Sequence, residues 1–175
     1  TPKPSSAASD VYKRQAIASG VGLGKLFKSL GATLILNGGQ TMNPSTEDIV
    51  EAIKQTQAKK VLILPNNKNI FLAANQAAKV ADVDVAVVPS KTVAQGMTSL
   101  LSFDSQASLK DNQERMTAEL DSVVSGQITT AVRDTAIDGQ NIKKGDFMAI
   151  VDGKIVLTNA VRKTAAISML SLIHI

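Results

Sequence analysis

Three times in this chain a short apolar run ends in a polar loop, and the loop opens into a helix-forming stretch. Thr33-Leu34-Ile35-Leu36 leads into Asn37-Gly38-Gly39-Gln40-Thr41-Met42-Asn43-Pro44-Ser45. Val61-Leu62-Ile63-Leu64 leads into Pro65-Asn66-Asn67-Lys68-Asn69, and Val85-Ala86-Val87-Val88 into Pro89-Ser90-Lys91-Thr92-Val93-Ala94-Gln95-Gly96. Continuous apolar runs of this length mark strands buried on both faces, and their alternation with helices reads as βαβ units with right-handed crossovers. In an open parallel sheet all such loops lie along one edge, at the carboxyl ends of the strands, where ligands and partners bind. An edge rich in amides, with two lysines and few carboxylates, suggests recognition of something polar or anionic rather than acid–base chemistry.

The remaining pattern frames those units. Ala16-Ile17-Ala18-Ser19 reads as the stump of a first strand, which Gly20 to Gly24 turn into a helix over 25–30 that Gly31 ends. Ser45 and Asp48 form an approximate capping box for the helix whose apolar face carries Ile49, Ala52 and Ile53. Asn67 or Asn69 is predicted to cap the next, alanine-rich helix, and a further helix is expected over 92–101. After Asp104 the spacing of Leu109, Met116, Leu120 and Val123 predicts a long amphipathic helix over 108–124, stopped by Gly126. Ile128, Thr130 and Val132 then alternate as a half-exposed strand. Asp152-Gly153 between two apolar stretches is a strong hairpin signal, and 159–169 reads as a last helix.

Both ends, 1–15 and 170–175, read like translated sequencing-adaptor sequence or a disordered tail and are set aside. Between them no Pro-, Gly- or Ser-rich linker interrupts 16–169, so one domain is expected. Setting aside the first fifteen residues removes three cations and one anion, and the net charge of +4 falls to +2.

The 175 residues suffice for a proper core, and 44% hydrophobic content is ordinary for a soluble protein. With no cysteine and His174 as the only histidine, neither a thiolate or His/Cys zinc site nor a Ser-His triad can be built from this chain. Scattered cations, one tyrosine and no tryptophan give nucleic-acid binding little support. No apolar run nears the roughly 20 residues of a membrane span, and a cytoplasmic location is expected.

Gly20, Gly22 and Gly24 match neither a dinucleotide fingerprint, whose third glycine position is Lys25, nor a P-loop. Their backbone amides could hold an anion at a helix start, but a tight turn for close packing accounts for them as well. Asn37, Gly38, Gly39, Gln40, Thr41, Met42, Asn43 and Ser45 are candidate contacts for a ligand or partner, though such amides equally satisfy loop backbone. Lys68, among Asn66, Asn67 and Asn69, is poorly placed for a helix dipole, which an anionic partner would compensate. Lys91, Thr92 and Gln95 could join that surface. Arg133-Asp134 reads as a surface ion pair with a weaker docking role. No nucleophile–base or paired-carboxylate arrangement is visible, so no catalytic and no metal-binding residue is assigned.

From Gly20 to Val156 the chain resembles the C-terminal region of dihydroxyacetone-kinase-like (DhaL-domain) proteins, the group containing the catalytic subunit of bacterial fatty acid kinase. The stretches that carry the resemblance are Gly38-Gly39-Gln40-Thr41-Met42-Asn43-Pro44-Ser45 and Leu64-Pro65-Asn66-Asn67-Lys68-Asn69. Ala131-Val132-Arg133-Asp134, Lys144-Gly145-Asp146 and Asp152-Gly153-Lys154 add to them. The resemblance implies an α/β fold: a mostly parallel open sheet with flanking helices, doubly wound and DegV-like, followed by a long helix and a β-hairpin. It implies that a separate N-terminal kinase domain holds ATP and magnesium, and that this region needs no cofactor of its own. It also implies phosphorylation of a fatty acid presented by a fatty-acid-binding carrier protein, giving acyl phosphate for phospholipid synthesis, by a full-length protein that is a candidate homodimer. This region would dock the carrier or organise the assembly; the alternative is a domain binding a small phosphate or acyl head group in the same loops.

Overall fold

The computed structural model describes residues 11–39, 42–137 and 139–173. Its contacts divide the chain into two compact units, Thr1–Val123 and Val124–Ile175, where the sequence predicts one domain. The boundary escaped the sequence because no linker marks it: a 3-10 turn, Glu119–Ser122, is followed within a few residues by the next strand.

The first unit is a four-stranded parallel sheet in the order β2-β1-β3-β4. The strands are β1 (Tyr12–Ala18), β2 (Leu34–Asn37), β3 (Lys60–Leu64) and β4 (Asp84–Val87). Helices α1 (Val21–Ser29), α2 (Thr46–Gln55), α3 (Phe71–Val80), α4 (Val93–Leu101) and α5 (Leu109–Ala118) surround it. Side chains alternate along each strand, so each apolar run feeds two cores. Ala16, Ala18, Leu62, Leu64, Ala86 and Val88 pack under α1, α4 and α5 through Phe27, Leu100 and Met116. Ile17, Val61, Ile63 and Val87 pack on the other face, under Ile49 and Ile53 of α2 and Ala74 and Ala77 of α3. Helices change face where the chain reverses direction across the sheet, as right-handed crossovers require.

The sequence predicts only a stump from Ala16, yet β1 starts at Tyr12 and pairs with two strands. Lys13, Arg14 and Gln15 hide this strand by making its first half look polar. Its cation is absorbed locally: the Arg14 guanidinium lies 4.3 Å from the centre of the Phe103 ring and its Nε donates to Gly31 O at 2.5 Å. Burial lowers the Arg14 pKa. The Tyr12 ring is buried, and its hydroxyl donates to Ala107 O at 2.8 Å.

Helix ends follow local chemistry. Ser45 and Asp48 form a full reciprocal capping box at α2. Neither Asn67 nor Asn69 caps α3, which starts after Ile70 without a side-chain cap; Asn67 Oδ1 instead accepts the Asn69 N–H at 2.9 Å, a local turn. The helix expected over 108–124 is shorter, ending at Ala118 in the 3-10 turn.

The second unit holds β5 (Gly126–Thr130), β6 (Thr135–Ile137), β7 (Gln140–Ile142), β8 (Phe147–Val151), β9 (Lys154–Asn159) and α6 (Arg162–Ile173). β5, β8 and β9 form an antiparallel sheet in that order, and β6 pairs with β7 as a separate ribbon. Gly126 opens β5 rather than standing between elements. The hairpin at Asp152-Gly153 is as predicted, both residues having positive φ (47° and 85°), as a type I′ turn requires. No helix among the described residues is long and apolar enough to cross a membrane.

Candidate functional site

The strand order 2-1-3-4 puts a topological switch point between β1 and β3. The chain leaves β1 towards β2 and returns to β3 on the other side, so the loops after β1 and β3 part company over a crevice. The loops of all four strands meet on this one rim, because the strands are parallel.

Asn66 crosses the crevice. Its backbone is left-handed, with φ 56°, a conformation Asn tolerates better than most residues. Its side chain is buried, Nδ2 donating to Ile17 O on β1 at 3.0 Å and Oδ1 accepting from Ser90 Oγ at 2.8 Å. Its N–H donates to the same Ser90 oxygen at 3.1 Å. Both ends of the amide are therefore occupied within the fold. Asn66 is a fastener for β1, β3 and the loop after β4, and not the open contact that the sequence suggests. Gly96 on α4 packs against it so closely that a Cβ there would fall on Asn66 Oδ1.

The double glycine works in the same way. A Cβ on Gly38 would stand 2.7 Å from Pro44 Cδ and 2.9 Å from Ile17 Cγ2, and one on Gly39 2.9 Å from Ser19 Cβ. Loop packing, rather than ligand approach, is what forbids side chains there. Gly39 N–H donates to Met42 O at 3.0 Å, closing the loop and leaving the Met42 side chain 61% exposed, with Asn43 exposed beside it. Gln40 and Thr41 lie outside the described residues. Ser45 is committed to the cap of α2, where its N–H and hydroxyl each donate to Asp48 Oδ2 at 2.8 Å and hold that carboxyl below its usual range.

Along the rest of the rim, Lys68, Asn69 and Lys91 are exposed, and Asn67 is half-buried in its turn. Thr92 caps α4 by accepting the Gln95 N–H at 3.2 Å. Gln95 is used twice, its Oε1 accepting the Lys91 N–H at 2.8 Å and its Nε2 donating to Leu120 O at 3.2 Å. Gly20 and Gly22 are exposed before and inside the first turn of α1, with open space where side chains would stand; Asn37 is exposed at the end of β2.

Arg133 and Asp134 belong to the second unit. Both are exposed, and Asp134 Oδ1 accepts the Lys144 N–H at 2.6 Å, which makes it a turn residue. Sequence reasoning passed over Ser90 and Gly96, the partners of Asn66. A glycine inside an alanine-permissive helix is the one local signal for such a close approach. No cluster of three or more metal-ligating side chains occurs among the described residues.

The described surface can therefore present polar and cationic side chains on a braced rim. A family model for the C-terminal region of FakA-like fatty acid kinase subunits matches residues 15–174. Protein YloV of Bacillus subtilis is 51% identical over 164 residues, covering 94% of this chain and 30% of YloV. An uncharacterized protein of Staphylococcus saprophyticus is 51% identical over 145 residues, covering 83% of the chain and 26% of that protein. Another, from Staphylococcus aureus strain USA300, is 46% identical over 155 residues, covering 89% and 28%. The chain thus spans less than a third of the length of these relatives. It belongs to the FakA-like C-terminal family of fatty acid kinase.

Proposed function

We propose that this region serves a two-component fatty acid kinase, by docking the protein that carries the fatty acid or by organising the assembly, and does no chemistry alone. The acyl phosphate made would feed phospholipid synthesis in the cytoplasm, with ATP and magnesium held by a kinase domain elsewhere in the longer protein. The observation that carries this reading is the rim itself. Met42, Asn43, Lys68, Asn69 and Lys91 stand exposed on the rim, where the side chains of Asn66, Ser45 and Gln95 hydrogen-bond to backbone groups. Exposed polar side chains on a rigid frame suit recognition of a partner. Family membership supplies the kinase context.

The test is titration calorimetry of the full-length kinase with its fatty-acid-loaded carrier. Asn43→Ala, and Lys68→Glu combined with Lys91→Glu, are expected to weaken carrier binding by about tenfold or more, roughly 1.4 kcal/mol, with ATP affinity unchanged. Unaltered carrier affinity in both variants removes the rim from the docking surface. The second reading, a small anionic ligand, is favoured by the uncapped start of α1, where Gly20 and Gly22 leave room for close approach. Saturable binding of inorganic phosphate without carrier, abolished by Gly22→Val, would select it.

A further inference from the structure

With no cysteine and no tryptophan in the chain, methionine is its readily oxidised side chain. Four of the five methionines are shielded to some degree. Met116 has no exposed surface and Met169 little; Met97 is partly buried against the core beneath α1, α4 and α5, and Met148 is half-buried in β8. The fifth, Met42, stands 61% exposed on the rim.

The loop that carries Met42 is closed on itself. Met42 O accepts the Gly39 N–H at 3.0 Å, and Pro44 packs where Gly38 has no room for a side chain. A thioether held in water adds nothing to apolar burial, and a polar residue would serve a turn as well. Methionine suits a surface that another molecule covers, because its unbranched, polarisable chain adapts to the contact. Its sulfoxide is polar and chiral and disrupts such contacts, and reductases reverse it.

Given the docking role proposed above, on which this rests, we infer that Met42 is an oxidation-sensitive contact of the rim. Hydrogen peroxide converts it to the sulfoxide before the other four methionines, and the sulfoxide weakens docking of the carrier until the thioether is restored. The step is a two-electron oxygen transfer. A sulfur lone pair attacks peroxide, the O–O bond breaks and an S–O bond forms. The proton of the transferred oxygen joins the departing hydroxide as water.

The test treats the full-length kinase with hydrogen peroxide, maps sulfoxide by peptide mass spectrometry, and titrates the fatty-acid-loaded carrier calorimetrically. Met42 is expected to be modified first, with carrier affinity falling about tenfold in step with it. The two methionine sulfoxide reductases together, one for each epimer, should restore the affinity. In Met42→Leu, whatever its starting affinity, the same treatment should change nothing. Modification of another methionine ahead of Met42, or an equal loss in Met42→Leu, overturns the inference. So does a fully oxidised Met42 with unaltered carrier affinity. If Asn43→Ala and the Lys68→Glu, Lys91→Glu pair still weaken binding in that case, the docking role stands without the oxidation switch; if they do not, both fall.

Discussion

At the scale of single residues the fold contains one misfit and one tightly matched pair. Gln15 sits in β1 with no exposed surface, and neither its Nε2 nor its Oε1 has a hydrogen-bond partner among the described residues. A buried amide without partners costs about 1–3 kcal/mol. Gln15→Met, which keeps the shape, is expected to raise the urea midpoint by a comparable stability gain without altering the slope; no gain would mean the amide is satisfied in solution. The pair is Asn66 with Gly96. Gly96→Ala overfills the contact and should destabilise by about 1–3 kcal/mol. Asn66→Ala should cost a similar amount by stranding Ile17 O and Ser90. Thermal unfolding of the two single variants and the double tests the pairing: the double is expected to lose clearly less than the sum, and strict additivity would refute it. None of this was legible in the sequence. The amides of Asn66 and Asn43 read alike there, and only burial separates the internal fastener from the exposed side chain.

At the scale of elements, the runs 34–36, 61–64 and 85–87 were legible because a strand covered on both faces needs continuous apolar residues, and the structure uses each for that purpose. The capping box of α2 and the Asp152-Gly153 hairpin were legible because their signals are local. The cap of α3 was not, since two asparagines near a helix start can satisfy each other instead. β6 and β7 are too short for a periodic signal. The α2 cap brings a pH dependence. The Asp48 carboxyl is lowered in the fold, so its contribution is present above the unfolded value near 3.9 and is lost as pH falls through the folded value. Wild type is therefore expected to lose more thermal stability between pH 5 and about 2 than Asp48→Asn. Parallel melting curves for the two would show that the cap does not titrate.

At the scale of the whole molecule, both large apolar cores lie within the first unit, and all their members precede Val124. A fragment ending at Val123 is thus expected to fold alone with one cooperative thermal transition, followed by circular dichroism. A broad, non-cooperative melt would show that the first unit depends on the second. The order of the strands bears on synthesis as well. β1 comes first in the chain but second across the sheet, clasped by β2 and β3. A growing chain that has just produced Ala18 must still make Leu64 before that strand has both neighbours. At about 10 residues per second this interval is on the order of five seconds. Throughout it β1, polar at 13–15 and aliphatic at 16–18, lacks its second neighbour, so the apolar half of the strand stays open until β3 has been made.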